Sequence, residues 1–338
     1  MKRNFTIGLA VLTAAALLTG CSGTASSPSG DNGEASLKGE TVTLVVGYEP
    51  GGGFDLYARM LAPKLADELG AKVIVENKPG AGGLVATNEV WGAKPDGTTL
   101  MLVNTPGHLA SSLVGADGVA YEADGFGYVG QIVSEPNVVV TSSTSGITSI
   151  ENTKGKRFAA GGPGSLEYVD ALVLDELLDL DSEVVTGFSN SKEGTLAVIA
   201  DNVDFQSLSF GSQRSGIQGG DTVPLLVVGE TNNAPEIEGV PNLLDVVPAE
   251  KKQLAENHSL LISSGRVVVA PPKTDPAMLE LLRSAFEKVV TDETFIQDAK
   301  DSGRDVVFRS GADVQDLVEK VMNSPQEYVD LLKKAYGL

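Results

Sequence analysis

A chain of 338 residues, 42% of them hydrophobic, has material for two domains and a sizeable core and is not a disordered segment. Its 25 basic residues against 45 acidic ones give a formal net charge of −20, which argues against a nucleic-acid-binding surface. Cys21 is the single cysteine, so an internal disulfide framework and a cysteine-based zinc site are excluded.

Met1–Asn4 is a short basic start, and Ile7–Leu18 is apolar but short for a spanning helix. The Leu18-Thr19-Gly20-Cys21 that follows resembles the lipobox of bacterial lipoproteins, where cleavage precedes the cysteine and lipid is attached to it. Residues 1–20 are therefore expected to be a lipoprotein signal peptide, and loss of Lys2 and Arg3 with it takes the charge from 25 − 45 = −20 to 23 − 45 = −22. Ser22–Ser36 is rich in Ser and Gly without apolar periodicity, so residues 21–38 read as a flexible tether, with the fold starting near Leu37.

Val42–Tyr48 is nearly all apolar and reads as a strand covered on both faces. Glu49–Gly53 is a turn, and from Phe54 the positions Tyr57, Ala58, Leu61, Leu65 and Leu69 keep helical spacing up to a stop at Gly70. Pro63 inside that helix predicts a kink or one lost hydrogen bond. Lys72–Glu76 is a second strand, Asn77–Gly80 a turn, Leu84–Trp91 a helix and Thr99–Val103 a third strand, followed by a loop over Asn104–His108. Strand, helix, strand, helix, strand implies a parallel α/β sheet, with ligands beyond the carboxyl ends of its strands. Two glycine turns, Gly51–Gly53 and Gly80–Gly83, lie at those ends, each opening a helix whose free N–H groups suit an anion.

A second α/β series begins after the strand Val138–Val140 and a short helix near Ser149. Strands are expected at Arg157–Ala160, Glu183–Thr186, Val203–Leu208 and Val223–Val228, and helices at Tyr168–Leu178 and Glu193–Ala200. Gly161–Ser165 is its glycine turn, Leu260–Ala270 carries the chain back, and the amphipathic helices Pro276–Val290 and Ala312–Ala335 are expected to pack on the first lobe.

The pieces Gly51-Gly52-Gly53-Phe54-Asp55, Val75-Glu76-Asn77-Lys78-Pro79-Gly80-Ala81-Gly82-Gly83 and Lys94-Pro95-Asp96-Gly97-Thr98-Thr99-Leu100 resemble the substrate-binding proteins of tripartite tricarboxylate transporters, the Bug family. Pro136-Asn137, Gly162-Pro163-Gly164-Ser165 and Val203-Asp204 match later pieces of the family pattern in order, so the likeness runs from about Gly39 to the C-terminus. It implies an α/β, periplasmic-binding-protein-like (type II) fold with two α/β lobes and a central ligand cleft. Lobe 1 would span residues 39–137, lobe 2 residues 138–264, and residues 265–338 would return to lobe 1. It also implies a binder rather than an enzyme: an extracytoplasmic protein that closes on a di- or tricarboxylate or an aromatic carboxylate. Backbone N–H groups and waters of the first-lobe loops, not arginines, would hold the carboxylate. The implied partners are a large and a small integral membrane subunit that take the ligand over. A monomer without cofactor, metal or nucleic acid is expected, held by lipid on Cys21 at the extracytoplasmic face of the cell membrane.

This chain departs from the family pattern at Gly47-Tyr48, Phe54, Thr98, Thr186–Asn190 and Tyr168, which bears on the substrate rather than the fold. Tyr48, Phe54 and Phe188 would give a more aromatic pocket, although Phe54 can equally point into the core. Gly51, Gly52 and Gly53 are ligand-binding candidates that could also be only a tight turn. Asp55 caps a helix start or shapes the loop, since its charge would repel a carboxylate. Asn77, Gly80, Ala81, Gly82 and Gly83 are cleft-edge candidates, with Thr105 and His108 beside them. In the second lobe Gly164, Ser165, Tyr168, Phe188, Ser189 and Asp204 are candidates; Ser165 is also an N-cap, and Asp204 can instead be a hinge or loop-fixing residue. His258 has no sequence context and is read as structural.

No P-loop, complete G-x-G-x-x-G or G-x-S-x-G stretch is present, so a surface-tethered hydrolase is a remote alternative. A receptor feeding a membrane sensor is a closer one.

Overall fold

The computed structural model describes residues 35–162, 165–230 and 234–338. The signal peptide, Cys21, most of the tether and Gly164 lie outside the described residues.

The first half supplies β1 (Thr41–Val46), α1 (Gly53–Leu69), β2 (Lys72–Asn77), α2 (Leu84–Trp91), β3 (Thr99–Asn104), α3 (Thr105–Val114) and β4 (Gly127–Val133). Next come β5 (Asn137–Ser142), β6 (Arg157–Ala159), α4 (Leu166–Leu178), β7 (Glu183–Val185), α5 (Ser191–Ile199), β8 (Gln206–Ser209), α6 (Phe210–Gly219), β9 (Thr222–Val228), α7 (Leu243–Val246) and α8 (Lys252–Ile262). The chain ends with β10 (Arg266–Ala270), α9 (Pro276–Val290), α10 (Glu293–Asp301), β11 (Arg309–Ser310), α11 (Gly311–Met322) and α12 (Gln326–Tyr336).

β1 pairs in parallel with β2 and β3, as the strand–helix alternation requires. The six-stranded sheet has the order β11-β4-β10-β3-β1-β2, with β10 antiparallel between β3 and β4. The two-residue alternation of a strand sorts its faces. Val42, Leu44 and Val46 pack with Tyr57, Leu61 and Leu65 of α1 and with Phe286 and Val289 of α9, whereas Val45, Met101 and Val103 pack with Val90, Leu109 and Val318 on the other side. In the second half β5 joins β8 and β9, and a single bridge between Phe158 and Phe205 brings the β6-β7 pair alongside.

Two short crossovers join the sheets, 134–136 and 263–265. They lie side by side, because the Ser134 hydroxyl donates to the Ser263 carbonyl at 3.0 Å. Gly265 has φ +60°, and a Cβ there would stand 2.2 Å from the Val133 carbonyl oxygen, so glycine is obligatory.

Several local expectations change. The loop expected over Asn104–His108 is the start of α3, which tolerates Pro106 because Pro lies in its first turn. α1 continues through Pro63 as one helix. The single helix expected over 312–335 is two, broken before Pro325, which cannot donate to the preceding turn. α11 packs on β4 as expected, but α12 packs on α4 and α3, so it holds the second half as well as the first. α6, α8 and α10 are helices that the sequence reading did not expect.

Candidate functional site

Four consecutive residues at the second glycine turn have positive φ: Gly80 (147°), Ala81 (46°), Gly82 (68°) and Gly83 (100°). This is why the turn is Gly-Ala-Gly-Gly. It also passes close to the end of β1, since a Cβ on Gly47 would sit 2.8 Å from the Gly83 Cα.

Side chains staple the two turns together. The Asp55 carboxylate, buried near the start of α1, accepts from the Gly51 N–H (2.8 Å), Arg59 Nε (3.0 Å) and Asn77 Nδ2 (3.0 Å). Burial alone would raise its pKa, but the hydrogen bonds from Arg59, Gly51 and Asn77 outweigh burial and hold it below the ordinary carboxylate value. Asp55 therefore shapes the loop and does not cap α1 in the ordinary way, since Gly52 is the N-cap. Asn77 donates to the Tyr48 carbonyl at 3.0 Å and accepts from Arg59, so it faces the loop rather than the cleft. The Tyr48 hydroxyl donates to the Gly82 carbonyl and accepts from Asn104, each at 3.0 Å. Its ring stacks on Phe54 at 4.8 Å.

These turns form one wall of a cleft between the two sheets. Its inner part is lined on the first side by Tyr48, Gly52, Gly53, Phe54 and Arg266 and on the second by Glu167, Asn190, Ser191, Ser209 and Ser212, with Glu135 and Asn137 at the crossover. Its outer part sets Gly80–Gly82 against Ser165, Gly187, Phe188 and Ser189. Tyr48, Glu167, Asn190 and Ser191 line both parts, so the hollow is continuous.

Arg266, the first residue of β10, is the cation inside it. Its guanidinium lies 4.9 Å from the Phe54 ring centroid and 5.0 Å from that of Tyr57. Nη2 donates to the Ser209 and Ser212 hydroxyls at 2.6 and 3.4 Å and stands 3.6 Å from the Glu135 carboxylate. The resemblance implies a carboxylate held by backbone N–H groups and waters; a buried strand also places an arginine in the cleft, and an Arg heading an apolar run was its only sequence signal. Phe54 lines the cleft while packing on the core beneath.

Other candidates lie elsewhere. Gly51 does not line the cleft, and its N–H is taken by Asp55. Gly83 and His108 border a smaller hollow that shares Tyr48 and Asn104 with the cleft. His108 is buried and stacked on Tyr121 at 4.6 Å, and burial pushes its imidazole down to about 3, so it stays neutral. Thr105 is buried at the start of α3 and lines neither part. Tyr168 packs edge-on against Tyr336 of α12 at 5.8 Å, because its position on α4 faces away from the cleft. Asp204 lies before β8, at the opposite end from the cleft residue Ser209, and accepts from the Arg157 N–H at 2.9 Å as a loop-fixing group. Ser165 caps α4 through the Tyr168 N–H at 3.3 Å and also lines the outer cleft.

Sequence reasoning missed Glu135, Asn137, Glu167, Ser209, Ser212 and Arg266. Behind Asn137, a buried network joins Asp170 to His258: Nε2 donates to Asp170 Oδ1 at 2.6 Å, and Nδ1 meets the Tyr328 hydroxyl at 3.1 Å. His258 is thus structural, as expected, and ties α8 to α4 and α12. Among the described residues no group of three or more His, Cys, Asp or Glu is placed to hold a metal ion.

A family model described as "Tripartite tricarboxylate transporter family receptor" matches residues 57–333. A UPF0065 protein of Bordetella pertussis is 26% identical over 294 residues, 83% of this chain and 86% of that one. Among solved structures, MatC (Rpa3494) from Rhodopseudomonas palustris with bound malate superposes with a TM-score of 0.70 at 23% identity, covering 86% of this chain and 98% of that one. The periplasmic binding protein BugD gives 0.70 at 22% identity, covering 87% and 97%. The fold is that of the periplasmic binding proteins.

Proposed function

The chain belongs to the tripartite tricarboxylate transporter receptor family, and from that premise we propose that it captures a small organic carboxylate in the cleft and delivers it to a large and a small membrane subunit of a tripartite transporter. The observation that carries this reading is the cleft itself. The stapled turns at Gly52–Phe54 and Gly80–Gly82 face the second-half residues Ser165, Phe188 and Ser189 across one continuous hollow, with the Arg266 guanidinium inside it. The MatC structure, which shares the fold, holds malate, a dicarboxylate.

In this reading the carboxylate docks first on the first-lobe turns. The first-turn N–H groups of α1 supply partial positive charge, and Arg266 supplies a full one. Lobe 2, residues 138–264, then closes over it, and lobe 1 is completed by the return of residues 265–338. The paired crossovers are the natural hinge, since they are short and are tied side by side by the Ser134–Ser263 bond. A ligand that binds the closed form better shifts the population toward it, and the closed form is what the membrane subunits receive. Lipid on Cys21 would keep the receptor beside them. The chain needs no catalytic step for this role.

The test is a thermal-shift screen of the full chain against citrate, malate, other di- and tricarboxylates, aromatic carboxylates, amino acids and nucleotides. A ligand at a hundred times its dissociation constant stabilises by about 2.7 kcal/mol. A shift with carboxylates is expected; a shift with nucleotides alone would sink the reading.

A further inference from the structure

Resting on that carboxylate reading, we infer that the ligand carries a cationic group as well, so that the cleft takes an amino carboxylate whose ammonium is received by Glu167, Asn137 and Glu135 at its inner end.

Among the described residues, buried acceptors at the inner end of the cleft have nothing to accept. Asn137 is 1% exposed and lines the cleft. Its Nδ2 donates to Asp170 Oδ2 at 3.0 Å, and because a carboxylate there can only accept, the amide cannot be turned over. Its Oδ1 has no hydrogen-bond partner among the described residues. Both oxygens of Glu135, 6% exposed, also lack a hydrogen-bond partner among the described residues. The Arg266 Nη2 at 3.6 Å is an ion-pair neighbour but lies beyond hydrogen-bond distance. A buried acceptor left unpaired is costly, so a ligand that donates to these atoms is favoured over one that only accepts.

Charge gives the same answer independently. The buried ionisable groups lining the inner cleft are Glu135, Glu167 and Arg266, and the exposed Glu49 stands at its rim. Arg266 is paired to Glu135. Arg304 faces Glu135 from a separate hollow that also takes in Arg214, and it does not line the cleft. Glu167 has no Lys, Arg or His within ion-pair distance among the described residues. Its only side-chain partner among them besides Ser165 is the Ser191 hydroxyl at 3.3 Å, and burial, with Asp170 one helical turn away, raises its carboxyl above the ordinary value. Water can satisfy an acceptor, but it does not neutralise this charge. A plain dicarboxylate would bring two more negative charges and no donor to the same end. An ammonium brings three donors and one positive charge. The unpartnered Nη1 of Arg266 remains as the complementary donor for the ligand's carboxylate.

The positions agree as well. Asp170, which holds Asn137, follows Glu167 by three residues on α4, so the two groups share one helix face. Tyr48 lines the same inner hollow as Glu167 and Arg266, so the acidic and basic groups of the site share one wall residue.

The experiment is calorimetric titration of the full chain with matched ligands: succinate against 4-aminobutyrate, malate against aspartate, glutarate against glutamate, and putrescine as an amine without a carboxylate. The expected result is at least tenfold tighter binding of the amino carboxylate in each pair. Glu167→Gln is expected to reduce that preference at least tenfold and to tighten the dicarboxylates, and Glu135→Gln to act in the same direction; unfolding of each variant without ligand checks that it is folded. Dicarboxylates that bind as well as or better than their amino partners would overturn this inference and leave the carboxylate-receptor reading standing. Binding of putrescine alone, or of nothing in the panel, would overturn both.

Discussion

Two buried acids, each next to a glycine turn at the start of a helix, have opposite surroundings. Asp55, on α1, is met by a backbone N–H, a guanidinium and an amide, and its pKa is held down. Glu167, on α4, meets two serine hydroxyls and, among the described residues, no cation, and its pKa is raised. The first acid completes a platform that exists before any ligand arrives. The second is an incomplete site whose missing partner is supplied from outside. A receptor that must bind and release benefits from both: rigid positioning on one side lowers the ordering cost of binding, and unmet polar groups on the other make closure depend on the ligand.

Breaking the platform should have the largest effect. Asp55→Asn places an amide among three donors, and we expect a loss of about 3 kcal/mol in denaturant unfolding at neutral pH, since a buried, multiply bonded charge is being removed. Ligand affinity should fall with it, because the single amide oxygen can no longer accept from both Gly51 and Asn77 in the present geometry. Unchanged stability would mean that the turns are held by glycine geometry alone.

Gly47→Ala tests the same platform without touching a charge. Its Cβ would meet the Gly83 Cα at 2.8 Å, backbone against backbone, with the Met101 side chain also close. A cost of about 2 kcal/mol is expected, as for other overpacked sites, with weaker ligand binding because the second turn is pushed away from the first. Crystallography of the variant would show whether Gly80–Gly83 has moved.

Glu167→Gln should move stability the other way in the ligand-free protein. An unpaired buried carboxylate costs more than an amide of the same shape, so the variant should gain about 1 kcal/mol at neutral pH. The sign with pH follows from the direction of each shift. Glu167 has a raised folded pKa, so the wild type loses stability as pH rises from the ordinary glutamate value of 4.5 through the folded one. Asp55 has a depressed folded pKa, so its contribution is present above the ordinary value of 3.8 and is lost as pH falls through the folded one. Unfolding of wild type and variant from pH 4 to 7 should therefore diverge upward with pH; parallel curves would show that Glu167 is paired in solution.

The first-lobe platform was the more legible of the two sides in the sequence because backbone geometry has a glycine signature. Gly-Gly-Gly-Phe-Asp and Asn-Lys-Pro-Gly-Ala-Gly-Gly announce turns that open helices, and the near-continuous apolar run of β1 announces a sheet covered on both faces. The second side depends on long-range juxtaposition. Glu167 reads as an ordinary first-turn acid of α4, Asn137 as the start of a strand, and Arg266 as a lone cation before Val-Val-Val. Only the crossing of the chain at 134–136 and 263–265 brings them into one hollow. Tyr168 and Asp204 failed as candidates for the same reason, since local spacing cannot say which face of a helix or which end of a strand meets the other lobe.

The smallest effect on stability, and the sharpest contrast with Gly47, belongs to Gly162→Ala. Gly162 has no heavy atom within 4 Å of a Cβ placed on it and does not need a positive φ, so the fold does not require glycine there. Its N–H donates to the Ser165 hydroxyl at 3.3 Å, a bond that a methyl group leaves intact. Stability should stay within about 0.5 kcal/mol of the wild type. Ligand affinity then becomes the informative quantity. If it is unchanged, the second-lobe turn closes over the ligand at a distance and its contribution comes through Ser165 and Glu167. If affinity falls while stability does not, the glycine is there for close approach of ligand to backbone, and the second turn is a contact surface in its own right, formed only when the lobes meet.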